Sequence, residues 1–423
     1  ASFHQRKTEK APMTGKQERC VNIDWLECYC LEPFVHDADY FRAMHYQVNE
    51  REYGTRQYQQ MFTVLDKDGH GFIEVRRQPV ASALAGKSRG IFSPFSCHLK
   101  LCNRYCYAED AVNLYADFLY QHGYQVQRIF RLDIALDFEK FDDGTDPKKF
   151  LLRYLEGKFT KVNQGNISAH GADTWESRDW HSVSWGAPTS MVSTKMYLKT
   201  LELKQAKDKP YIRYAWWCAH LVDDWDTLTK RAEDGSVYQP DIWRIEFSIR
   251  SSARGWYITD DQSGKRPQKI SYEHTLDTYD TREKLITAFD NLCRHYFHFK
   301  RFEAGKRKDL CADRVLFHFN NSTVYKLDRL MTDQPHDKSI SALRHRIEQY
   351  RATHFDSEVR KACDTLLSQL QRESISNAIP SYQQGEAELL QRLIARRMQL
   401  PTESLTESIQ TIQALLDIQD SIF

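Results

Sequence analysis

Residues 131–138, RLDIALDF, alternate without a break. Leu132, Ile134, Leu136 and Phe138 fall on one side, and Arg131, Asp133, Ala135 and Asp137 on the other. A period of two predicts a half-buried β-strand that sets an apolar row into a core and holds Asp133 and Asp137 on the opposite face. Residues 241–250, DIWRIEFSIR, repeat the design, with Trp243, Ile245, Phe247 and Ile249 opposed to Arg244, Glu246, Ser248 and Arg250. If the two strands share a sheet, three carboxylates and several arginines occupy one surface. A third polar row, Ser193, Lys195, Tyr197 and Lys199 in STKMYLKT, puts a phenol between two ammonium groups if that segment is extended.

Around these rows the pattern predicts a mixed chain. Residues 22–30 read as a first strand, with Ile23 and Trp25 facing opposite to Asp24 and Leu26. FTVLD and GFIEV form a hairpin turned through Asp68 and Gly69. The same stretch aligned as a calcium loop puts His70 at an oxygen-ligand position and Arg77 where a bidentate Glu is needed, so a hairpin is the better reading. Helices are expected where Ala111, Val112, Leu114, Tyr115, Phe118 and Leu119 recur, with Gly123 as the stop, and again over 147–157 and 281–299. Residues 163–179 read as a loop, 181–186 as a strand, 251–280 as a polar connection and 315–320 as a closing strand. From about residue 337 the chain turns to helices rich in Leu, Ile, Gln, Glu and Arg, with a capping box of Ser404 and Glu407 before the last.

The expected fold class is therefore α+β: a largely antiparallel sheet, helices on one face and an active site on the other, plus a C-terminal all-helical region. Three segments follow: a polar leader over 1–19, a main domain over 20–335 and a helical region over 336–423. Composition adds limits. The 423 residues carry a formal net charge of only +1, so attraction to nucleic acid has to come from local basic patches. No apolar run approaches a membrane span and the first residues lack a secretory core, which predicts a cytoplasmic protein with no membrane partner. Ten cysteines read most simply as reduced thiols, because Cys28 with Cys30 and Cys97, Cys102 and Cys106 lack the spacing of structural zinc sites.

A phenol beside cations, facing carboxylates able to hold a divalent metal, has the parts needed to attack a phosphodiester. A solvated polar sheet face satisfies the same periodicity. Basic residues crowd after the tyrosine, at Lys195, Lys199, Lys204, Lys207, Lys209 and Arg213, followed by Tyr211, Tyr214, Trp216 and Trp217; a second cluster holds Lys300, Arg301, Lys306, Arg307 and Lys308. Basic groups mixed with aromatic faces suit a DNA backbone and unstacked bases, and equally a solvated helix with a packed aromatic side.

The order of NIDWLECYC, an R-x-D-x-A-x-D strand, KMYLK and a late R-x-E-F strand resembles the replication initiators of rolling-circle plasmids and the related nicking enzymes of conjugative elements, over roughly residues 22–319. The resemblance implies a tyrosine nucleophile at Tyr197, aided by Lys195 or Lys199, and a Mg²⁺ or Mn²⁺ ion held by Asp133 and Glu246 with Asp137. It implies a 5′-phosphotyrosyl intermediate and a free 3′-hydroxyl. Origin DNA is the implied partner, touched by Arg131, Arg244 and the two basic clusters; a host helicase, a polymerase and a homodimer are further candidates. Leu198 stands where many members of that family carry Glu after the tyrosine, and His295 and His298, expected on one helix, do not form a His-x-His pair. Two other readings stay open: a DNA-binding copy-control factor that does not cut, and a tyrosine recombinase built on His298, Arg301 and Tyr325.

Overall fold

The computed structural model describes residues 20–33, 35–80, 94–162, 166–173, 178–187, 190–205, 209–260, 268–303, 305–307, 310–318 and 324–329, with position 364. The chain separates into two compact units, Ala1–Leu330 and Met331–Phe423. The leader and, apart from position 364, the expected C-terminal helices with their Ser404 cap lie outside the described residues.

A ten-stranded antiparallel sheet organises the first unit. In chain order its strands are β1 (Cys20–Leu31), β2 (Val48–Glu50), β3 (Tyr58–Leu65), β4 (Gly71–Pro79), β5 (Ser96–Leu101), β6 (Gln125–Phe138), β7 (Ile167–Asp173), β8 (Arg178–Trp185), β9 (Val192–Leu198) and β10 (Trp243–Arg250). Across the sheet they run β2-β3-β4-β5-β1-β6-β10-β9-β8-β7. The two acidic strands β6 and β10 are direct neighbours, with Arg244 opposite Asp137, Glu246 opposite Ala135 and Ser248 opposite Asp133. On the far side of β10, Tyr197 faces Arg244 and Lys195 faces Glu246. The three polar rows thus share one face.

The opposite face is apolar and covered. Leu132, Ile134, Met196, Ile245, Phe247 and Trp185 are all buried. Helix Arg282–Tyr296 starts where the Thr281 side chain accepts from the Lys284 amide, and its Phe289 meets Phe247 with ring centroids 5.3 Å apart. Helix Pro147–Leu155, capped by Asp146, packs Tyr154 on Trp185, and Tyr115 of helix Ala111–Gln121 donates its hydroxyl to the Leu99 carbonyl. The β3–β4 hairpin turns as expected, with Gly69 at φ +77°.

Four expectations need correction. Residues 163–179 contain strand β7 and the start of β8, because Ile167 to Asp173 finds a pairing partner despite its polar sequence. Residues 251–280 hold a second antiparallel pair, Ala253–Asp260 with Gln268–Glu273. Residues 315–318 form no strand; the pairing there is the short Asp313–Arg314 segment beside Phe299–Arg301. Helix Arg282–Tyr296 ends before His298, so His295 and His298 do not share it.

The polar face is also not open along its whole length. Helix Pro210–Cys218 lies over one end of it, where Trp216 reaches Asp137 and Tyr211 packs on Tyr107 with centroids 5.2 Å apart. Helices therefore sit on both faces at that end. Among the described residues no helix is long and apolar enough to cross a membrane.

Candidate active site

The first strand carries a feature that strict alternation hides. Its register against β6 shifts between Ile23 and Trp25, so the chain gains one residue at Asp24. Such a bulge re-aims side chains. Ile23 and Leu26 both go into the core, while Asp24 and Trp25 turn to the polar face, which corrects the expected pairing of Ile23 with Trp25.

Under the roofing helix the face is a closed ion-pair network. Arg244, fully buried, donates from Nε to Asp137 Oδ1 and from Nη2 to Asp137 Oδ2, each at 2.6 Å, and from Nη1 to Asp24 Oδ1 at 2.7 Å. Trp216 adds an indole N–H to Asp137 Oδ2 at 2.7 Å, and Tyr107 donates to Asp24 Oδ1 at 2.5 Å. Burial opposes the Asp24 charge, yet Arg244, Lys199 and the Tyr107 hydroxyl hold its carboxyl down at about 2. Both oxygens of Asp137 are committed to the fully buried Arg244 and one also to Trp216, so Asp137 is an anchor of the fold; Asp133 is likewise held on both oxygens, but by Arg131, whose side chain is partly exposed and has room to move aside. Arg244, assigned to DNA from sequence, touches no surface.

Next along the face the network opens. The Tyr197 hydroxyl donates to Glu246 Oε2 at 3.1 Å and accepts from Lys199 Nζ at 3.3 Å. Lys199 is not on the strand: it opens helix Lys199–Gln205, where its buried ammonium pairs with Glu202, itself held by Lys209 at 2.8 Å. Tyr197, Glu246, Lys195 and Glu202 line a cleft of about 530 Å³ with His170, His181, Ser182 and Ser184 of β7 and β8. Tyr197 is half-buried and Lys195 is exposed.

Charge is unbalanced here. Burial first, and then the neighbouring Asp24 and Asp133 carboxylates, push Glu246 up to about 7 against the pull of Arg244 and Lys195. Burial and Glu246 raise the Tyr197 phenol well above its ordinary value, so at rest it keeps its proton. Asp133 is buried beneath Arg131, whose guanidinium grips both of its oxygens. Among the described residues, no three His, Cys, Asp or Glu side chains form a ready cage for a metal. Asp133 and Glu246 nevertheless fit the way Mg²⁺ is usually bound, by one or two carboxylates completed by water and substrate phosphate. The excess negative charge that raises Glu246 is what a divalent cation offsets.

The chain matches no family model, and no curated protein matches it. A solved structure does. It is the rolling circle replication initiator protein from Geobacillus stearothermophilus, 12% identical, with 71% of this chain and 94% of that one covered at a TM-score of 0.40. A likeness of that size assigns no residue its role, and the roles below rest on the geometry of the site itself.

The basic clusters divide. Lys204 is exposed and Lys209 is tied to Glu202. Arg213 donates to the Asp226 carbonyl at 3.2 Å beside Trp225, and the aromatics around it pack on one another, so that segment serves packing more than base stacking. Arg301, Lys306 and Arg307 are exposed, with Lys306 paired to Glu303, while Lys300 donates to the Cys311 carbonyl at 3.2 Å. Lys207 and Lys308 lie outside the described residues. His298 bonds Asp313 at 2.8 Å, His295 is half-buried against the Tyr325 carbonyl, and the Tyr325 ring packs on Tyr272.

Asp24, Tyr107, His170 and His181 were missed as site residues by sequence reasoning, and Trp216, expected as an aromatic face for DNA, instead bonds Asp137. A carboxylate on a predicted strand beside the acidic row was the available signal for Asp24, and the bulge concealed it.

Proposed function

We propose that the protein is a metal-dependent DNA nickase that initiates rolling-circle replication or strand transfer, with Tyr197 as its nucleophile. The observation that carries this reading is the hydroxyl of Tyr197, a residue that lines the cleft, donating to Glu246 and accepting from the Lys199 ammonium. In the reaction the phenolic oxygen bonds to phosphorus and the bond from phosphorus to the 3′-oxygen breaks. The phenol proton passes to Glu246 Oε2, and the 3′-oxygen leaves as a hydroxyl after taking a proton from solvent. Lys199 favours the developing phenolate, and Lys195, exposed at the rim, meets the charge on the non-bridging oxygens. Glu246, already hydrogen-bonded to the phenol, is placed to take that proton and later return it for rejoining. Asp133 and Glu246 would hold a Mg²⁺ or Mn²⁺ ion, which when bound polarises the phosphate and offsets charge in the transition state.

The phosphotyrosyl link conserves the phosphodiester energy, and the free 3′-hydroxyl is a primer for a polymerase. Origin DNA is the substrate this implies. The test is incubation of supercoiled DNA from the protein's own genetic element with Mg²⁺ or Mn²⁺. Nicked circles are expected from the parent protein and none from Tyr197→Phe, with DNA binding retained by both. Supercoiled DNA left intact by the parent protein under all conditions would reduce the reading to a binding module.

A further inference from the structure

Beyond Asp133, away from the roofing helix, two arginines stand directly opposite each other, Arg131 on β6 and Arg250 on β10, with the buried Glu27 of β1 on the other side of Arg131. Like charges facing across a strand pair are destabilising unless something neutralises them. Arg131 is satisfied by Asp133. Arg250 is different: its backbone N–H is bonded to the Met191 carbonyl, but among the described residues its guanidinium has no hydrogen-bond or ion-pair partner, and its Nε is buried with no acceptor. A half-buried guanidinium with an orphaned donor, beside a second guanidinium, lacks a bonded anion, although the Asp133, Glu27 and Glu246 carboxylates act on it from a distance. Burial first, and then Arg131, lower its proton affinity against the pull of the Asp133, Glu27 and Glu246 carboxylates.

Its position selects the anion. Arg250 lies four residues from Glu246 on the same face, roughly 13 Å along the strand at the usual rise. That places it on the side of Glu246 away from Tyr197. Trp25, half-buried and flanked by Arg131 at 4.2 Å and Lys100 at 3.3 Å from its ring centre, stands on the same face across β6. We propose that Arg250, with Arg131 beside it, binds a backbone phosphate flanking the scissile one, so that the single strand runs along the polar face from the cleft past Asp133. This rests on the cleft being a DNA site. No acidic peptide is favoured, because the approach also passes Glu246 and Asp133, which a phosphate chain meets through a metal ion and a second carboxylate chain has no such means to pass.

The experiment measures binding of single-stranded oligothymidylate over a range of salt, in the full chain carrying Tyr197→Phe alone and combined with Arg250→Gln or Arg250→Lys. Loss of one phosphate contact is expected to weaken binding roughly tenfold and to reduce the slope of log affinity against log salt by about 0.7. Arg250→Lys keeps the slope and loses part of the affinity. Thermal stability of Arg250→Gln is expected to match or exceed that of the parent, since no partner is lost. An unchanged slope with binding intact overturns this inference alone, as does a fall in melting temperature, which would reveal a structural partner for Arg250. Failure of the parent to bind single-stranded DNA at all overturns both this inference and the proposed function.

Discussion

Substituting Asp137 by Asn separates an anchor from a metal ligand. Asp137 receives two guanidinium bonds from the fully buried Arg244 and one indole bond from Trp216. Asn keeps one accepting oxygen but no charge, so Arg244 is left with Asp24 as its one counter-charge. Breaking a buried pair costs about 3–5 kcal/mol, and the remaining Asp24 contact puts the expected loss near the lower end, ~3 kcal/mol. For a unit of this size each kcal/mol moves the melting temperature by about 2–4 °C, so a fall of roughly 6–12 °C is expected. The assay is thermal unfolding with and without Mn²⁺, with Mn²⁺ affinity followed by calorimetry. The drop is expected to be the same with and without metal, and Mn²⁺ affinity below the melting range to stay close to that of the parent. A variant as stable as the parent that no longer binds Mn²⁺ would refute the anchor and return Asp137 to the metal.

Glu246→Gln tests the charge imbalance. A carboxyl raised from 4.5 to about 7 by folding makes the folded state hold its proton more tightly, so stability contributed by the protonated form is lost as pH rises across that window. Glu246→Gln is expected to be more stable than the parent by up to about 3 kcal/mol above pH 7 and nearly equal to it at pH 4.5, as read by urea unfolding. A difference that does not change with pH would contradict the shift. Gly69→Ala, at φ +77° in the β3–β4 turn, is expected to cost about 1 kcal/mol whether or not calcium is present. A calcium-dependent cost in the same unfolding measurement would revive the metal-loop reading. Tyr197→Phe removes the nucleophile and the donor to Glu246, and is expected to abolish nicking while retaining oligonucleotide affinity within about threefold.

Much of the fold was legible because period-two alternation in β6, β9 and β10 is strong and each strand has a buried apolar row. That pattern carried the convergence of Tyr197, Glu246 and Asp133 on one face. It did not carry what happens at right angles to the strands. Asp133 and Asp137 share a face, yet one lies beneath the partly exposed Arg131 and the other beneath helix Pro210–Cys218, a difference set by a segment more than 70 positions later in the chain. Arg244 and Arg131 look alike in sequence for the same reason, and one is fully buried. Asp24 escaped notice because the bulge at Ile23/Trp25 adds a residue that alternation cannot register. Strand β7, polar and with Ser168 and Gly171 inside it, lacks the apolar row that makes a strand visible, and is held by pairing to β8.

The central claim is a covalent one. After reaction with a single-stranded oligonucleotide from the cognate element in Mn²⁺, proteolysis and mass spectrometry should find one nucleotide-bearing peptide, carrying its 5′-phosphate on Tyr197. An adduct on Tyr325 or another residue, or strand cleavage with no protein adduct at all, would contradict the account.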